Sequence, residues 1–133
     1  MASTWDVVTQ NTGARRIRVF IADDSSDMRL LLRLGIGNEP SFEIVGEASD
    51  GEETIRLVNE MQPDVLLVNI AMPKMDGLKV IEVVRAANPR TKIVVLSGFD
   101  KRRMQPLAFA RGADAYVEKG GRLDDLRGVV ASV

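Results

Sequence analysis

The run Asp64–Gly77, DVLLVNIAMPKMDG, decides the fold. Its first seven residues are too short for a core helix and rich in Val and Leu, as in a strand buried on both faces at the centre of a parallel sheet. Asn69 falls at the C-terminal end of that strand. The remainder, AMPKMDG, is a loop that leads into a helix over Leu78 to Ala87, closed by Asn88-Pro89.

The same alternation extends in both directions. Towards the N-terminus, Ile17 to Ala22 (IRVFIA) is a short apolar strand that ends at the carboxylate pair Asp23-Asp24. Ser25 or Ser26 can cap a helix with an apolar stripe of Met28, Leu31, Leu32 and Leu34, and Gly35 or Gly37 fits its stop. Phe42 to Ala48 is a second strand; Asp50-Gly51 turns into a helix over Glu52 to Met61, stopped by Pro63. Towards the C-terminus come a strand at Thr91 to Ser97, a helix within 99–112, a strand at Ala113 to Glu118 and a helix at Arg122 to Val130. Pro106 should kink the fourth helix or delay its start. Five strands each followed by a helix, with right-handed crossovers, give an α/β fold: a five-stranded parallel sheet with helices on both faces. Residues 1–15 lack periodicity and read as a flexible N-terminal extension, or residue of an expression design, ahead of one domain over 16–133.

Composition removes several function classes. At 133 residues and 45% hydrophobic the chain has room for one core. Its 18 basic and 19 acidic residues give no net attraction to nucleic acid or an anionic membrane. Cysteine is absent, which excludes disulfides, thiolate catalysis and cysteine-zinc sites and agrees with a cytoplasmic location. Histidine is absent too, so the chain is not a phosphohistidine donor. No apolar run approaches the ~20 residues of a membrane span, and the polar start has no signal-peptide core.

In open α/β sheets, functional groups gather at the carboxyl ends of the strands. Strand one brings Asp23 and Asp24 there, strand three Asn69, strand four Ser97, and strand five leads through Tyr116 to Lys119. Paired carboxylates suit a hard cation such as Mg²⁺, and a hydroxyl and an ammonium in the same cleft suit a phosphoryl group. The nucleophile is missing, because a neutral carboxamide is a far poorer attacker of phosphorus than a carboxylate.

Asp23-Asp24, the stretch Pro63 to Gly77, VVLSG (Val94 to Gly98) and AYVEKG (Ala115 to Gly120), in this order over about residues 16–132, resemble the response-regulator receiver family of two-component signalling. The resemblance implies a flavodoxin-like sheet of strand order 2-1-3-4-5. It also implies that Asp24 ligates Mg²⁺ directly, that Asp23 acts largely through water, and that Ala71 gives a backbone carbonyl. Asn69 holds the phosphoacceptor position, so metal binding should be weakened and phosphorylation blocked. Ser97 matches the family's hydroxyl residue and Lys119 its lysine. Tyr116 matches the aromatic switch, which turns inward when the hydroxyl residue moves towards a phosphoryl group. The family's Lys-Pro reads Lys119-Gly120 here, which should leave that loop freer.

Asp to Asn is nearly isosteric, so the fold should survive and the switch should rest near its unphosphorylated state. The same substitution is one an experimenter makes to block phosphorylation and one a degenerate receiver carries; retention of Asp23, Asp24, Ser97 and Lys119 favours an engineered or recent change. The implied partners are a sensor histidine kinase, a second copy through helix four, strand five and helix five, and a fused DNA-binding output domain, since the chain stops after helix five. The competing reading is a phosphorylation-independent interaction or dimerisation module. An enzyme is disfavoured: an aspartate-nucleophile phosphatase needs the missing carboxylate, and a flavin site needs a hydroxyl-rich loop where Asp23-Asp24 stand. Lys101, Arg102 and Arg103 are a docking face or, more simply, a solvated helix start. Trp5, in the extension, should report little about the site.

Overall fold

A computed structural model describes residues 15–133. The strands are β1 (Ile17–Ala22), β2 (Phe42–Ala48), β3 (Val65–Val68), β4 (Lys92–Ser97) and β5 (Ala115–Glu118). The helices are α1 (Ser26–Gly37), α2 (Gly51–Met61), α3 (Gly77–Ala87), α4 (Lys101–Arg111) and α5 (Leu123–Ser132). All strand pairs are parallel, in the order β2-β1-β3-β4-β5. The α/β sheet and its order are those expected. The extension assigned to residues 1–15, with Trp5, lies outside the described residues except for Arg15, whose guanidinium is 2.6 Å from Asp64 Oδ1.

The apolar run of β3 is central because both of its faces are covered. Leu66 and Val68 join Phe20, Val58, Val80 and Ile81 in one core, whereas Val65 and Leu67 join Val19, Ile21, Leu32 and Ile36 in the other. Side chains alternate between sheet faces, so a strand feeding two cores must be apolar at every position.

Local signals set the helix starts. Ser25 caps α1 by accepting from the Met28 N–H, Asp50 caps α2 through Glu53, Asp76 caps α3 through Leu78, and Asp100 caps α4 through Arg102. Gly77 is fixed by crowding: a Cβ there would lie 2.1 Å from the Ile70 carbonyl oxygen. That close approach carries the chain from the end of β3 into α3.

The apolar stripe expected in α1 holds only in part. Leu31 and Leu34 are about half exposed, and the buried face is Leu32 and Ile36 with Met28 beside it. The helix stops at Gly37, one of the two stops expected, whereas a Cβ at Gly35 would meet Leu123 Cδ1 at 2.7 Å, so that glycine lets α5 approach α1. Pro106 does not delay the start of α4, which begins at Lys101 and includes the proline. The proline withholds one donor, from the carbonyl of Arg102, on an exposed first turn where water can serve that oxygen.

Candidate functional site

The C-terminal strand edge brings together the residues singled out in sequence. Asp24, Asn69, Ala71, Gly98, Phe99 and Lys119 line an open cleft of about 420 Å³. Asp23 lies beneath it, 1% exposed, and Ser97 is fully buried. A more apolar cavity of about 220 Å³, lined chiefly by Met28, Leu31, Leu32, Leu123 and Leu126, sits on the α1–α5 side of the Lys119 loop.

Asn69 follows β3 directly, and its N–H donates to the Ala22 carbonyl at 2.9 Å, which extends the β1–β3 pairing. Asn69 is 5% exposed, and its amide has partners at both ends. Nδ2 donates to Asp24 Oδ1 at 3.3 Å and to the Ala71 carbonyl at 3.2 Å, and Oδ1 accepts from the Ala71 N–H at 3.2 Å. These contacts fix which end of the amide is nitrogen, since a flip would set oxygen against two oxygens and NH₂ against an N–H.

Asp23 is served from two sides. Oδ1 accepts from the Ser25 N–H at 2.9 Å, and Oδ2 lies 3.0 Å from Lys119 Nζ. The lysine is delivered by β5, and its own N–H donates to the Ser97 carbonyl at 2.8 Å. Gly120 then takes φ +95°, a left-handed conformation that glycine adopts without Cβ strain. Lys119 is therefore tied at both main chain and side chain.

Ser97 and Tyr116 converge on one residue that sequence reading missed. The Phe99 N–H donates to Ser97 Oγ at 3.0 Å, and the Tyr116 hydroxyl donates to the Phe99 carbonyl at 3.1 Å. Tyr116 is 6% exposed and packs in the core with Val68, Val95 and Ala108. The buried ring is held in place by the chain's own groups, through that bond to the Phe99 carbonyl. Phe99 was invisible in sequence because its backbone, not its side chain, makes both contacts. Among the described residues there is no cluster of three or more His, Cys, Asp or Glu arranged for a metal. None of their helices is long and apolar enough to cross a membrane.

Comparison with known proteins agrees with this geometry. The family description "Response regulator receiver domain" matches residues 19–131. The transcriptional regulatory protein YhcZ of Bacillus subtilis is 34% identical over 110 residues, 83% of this chain and 51% of its own length, so the chain spans about half of that relative. The chemotaxis protein CheY of Thermotoga maritima is 33% identical over 102 residues, covering 77% of this chain and 84% of the relative. The signal receiver domain of the response regulator NarL from Mycobacterium tuberculosis superimposes with a TM-score of 0.84 at 28% identity, covering 89% of this chain and 95% of that one. With its five parallel strands in receiver order, its acidic strand-end cleft and these matches, the chain belongs to the response regulator receiver domain family of two-component signalling.

Proposed function

We propose that this is a receiver domain disabled for phosphoryl transfer at a single position, Asn69, with the rest of its cleft retained. The supporting observation is the placement of Asn69 at the tip of the central strand, buried, with Asp24 and Ala71 in hydrogen-bond contact and Lys119 lining the same cleft. A kinase's phosphohistidine would be the donor. The aspartate that would accept the phosphoryl group through a carboxylate oxygen is a carboxamide here, whose oxygen is neutral and gives no comparable acyl phosphate. Lys119 would neutralise a phosphoryl oxygen and Ser97 would hydrogen-bond another, but Ser97 Oγ is turned to Phe99 and Lys119 to Asp23. Both groups are committed to partners within the chain.

The ligand positions that the family implies for Mg²⁺ are Asp23, Asp24, the side chain of Asn69 and the carbonyl of Ala71. Only two are carboxylates, and one of those is paired with Lys119, so this donor set would hold Mg²⁺ weakly. In the family that cation would supply charge neutralisation at the phosphoryl group. The proposed limits are a domain over 16–133 after an extension over 1–15, acting in the cytoplasm. The proposed partners are a sensor histidine kinase and a DNA-binding output domain, the latter supported by the likeness to a transcriptional regulator about twice as long.

A second reading is a phosphorylation-independent interaction or dimerisation module. It is favoured by Phe99, Leu107 and Phe109, each more than 40% exposed on and before α4, next to β5. Intact-mass spectrometry after incubation with Mg²⁺ and a small phosphodonor, on this chain and on Asn69→Asp, separates the two. A phosphoryl gain by Asn69→Asp alone supports the disabled receiver. No gain by either passes the role to the interaction module, whose signature is a self-association constant unaffected by phosphodonor.

A further inference from the structure

We infer that the Asn69 carboxamide takes the place of a divalent cation in the cleft, so that the site excludes Mg²⁺ by occupation and not merely through a lost ligand charge. This rests on the receiver reading of the cleft and goes beyond it by naming what holds the cleft together. Oxygens converging on one point repel unless positive charge or hydrogen-bond donors stand between them. Here every converging oxygen group has a donor from the chain. Asn69 Nδ2 bridges Asp24 Oδ1 and the Ala71 carbonyl at 3.3 and 3.2 Å. Asp23 takes the Ser25 N–H and the Lys119 ammonium at 2.9 and 3.0 Å. Asn69 Oδ1, the one oxygen that position could offer a metal, already accepts from the Ala71 N–H at 3.2 Å.

The two N–H groups of a single amide therefore fill the space between the acceptors that a metal would share, and they present it with the positive ends of their dipoles. Rotating the amide does not open the site, because it places Oδ1 against Asp24 and Ala71 and Nδ2 against an N–H. Entry of a cation requires breaking both bonds of the bridge. It also requires drawing on Asp23, which is 1% exposed and already paired. As arranged, these residues do not fit Mg²⁺. The cleft instead holds its geometry without any cation.

The experiment is a titration with Mn²⁺, followed by electron paramagnetic resonance, on this chain, Asn69→Ala and Asn69→Asp. Asn69→Ala removes the bridge without adding charge. Occupation by the amide predicts that it binds Mn²⁺ about tenfold more tightly than this chain, the factor expected when one to two hydrogen bonds no longer have to be displaced. Asn69→Asp should bind tighter still. If Asn69→Ala binds no better than this chain, loss of ligand charge explains the weakness and the inference is overturned. If Asn69→Ala does not fold, the Asn69 side-chain NH₂ resonances of this chain decide. They should stay unshifted at millimolar Mg²⁺, and a saturating shift overturns the inference. None of these readouts uses a phosphodonor, so a failure of Asn69→Asp to be phosphorylated counts against the receiver reading alone.

Discussion

Lys119 Nζ lies 3.0 Å from Asp23 Oδ2, and that pair anchors β5 to the tip of β1 across the intervening strands. The aspartate side chain is 2% exposed and the lysine side chain 23%. A buried carboxylate stripped of its cation is costly, whereas removing both partners costs much less. Lys119→Met should therefore destabilise the domain by about 3 kcal/mol, and Asp23→Asn in the same background should restore part of that loss. Urea unfolding of the single and double variants measures both, and equal loss in each would show that the pair is not coupled.

Gly120 has φ +95°, far from the −65° or so that a proline ring imposes. Restoring the family's Lys-Pro by Gly120→Pro should therefore lower the melting temperature in this chain, because it reorients the loop that carries Lys119. Gly120→Ala, which meets no neighbour within 4 Å, should cost only the left-handed strain of about 1 kcal/mol. A Gly120→Pro variant as stable as the parent would show that the loop has a second conformation of equal energy.

The hydroxyl of Tyr116 has one protein acceptor, the Phe99 carbonyl, at 3.1 Å. Tyr116→Phe should keep the ring buried and lose about 1 kcal/mol of stability. Hydrogen exchange should quicken at the start of α4, where the Phe99–Asp100 segment loses its tie to β5. Unchanged exchange there would mean that the contact between Ser97 Oγ and Phe99 holds the segment unaided.

Asp50 caps α2, and the Glu53 N–H that donates to its Oδ1 at 2.8 Å is the main reason its carboxyl is held below the usual range. Burial opposes the shift, and the Lys74 ammonium 3.5 Å away adds to it. A carboxyl depressed in the folded state contributes stability that is fully present above its unfolded value, ~3.9, and is lost as pH falls through the lower folded value. Asp50→Asn keeps a capping oxygen but has no such proton linkage. Its melting temperature should fall less steeply than the parent's below about pH 4, with matching slopes near neutrality.

The order of elements, the central place of β3 and the residues gathered at the strand ends were all legible in the sequence. Apolar runs of strand length, caps before helices and βα alternation are local patterns, and parallel sheets admit few ways of joining them. The identity of the side chain at position 69 likewise needed only the sequence. Tertiary structure decided what is non-local. It buried Ile36 beside the expected Leu32 and left Leu31 and Leu34 half exposed, where α1 meets the sheet and, through Gly35, α5. It started α4 at Lys101, ahead of Pro106, whose lost bond falls on an exposed turn. It also turned Lys119 to Asp23, Asn69 to Asp24 and Ala71, and both Ser97 and Tyr116 to the Phe99 backbone. Residue types and spacing place donors and acceptors at one sheet edge, but which donor takes which acceptor depends on distances of a few ångströms that only the folded chain sets.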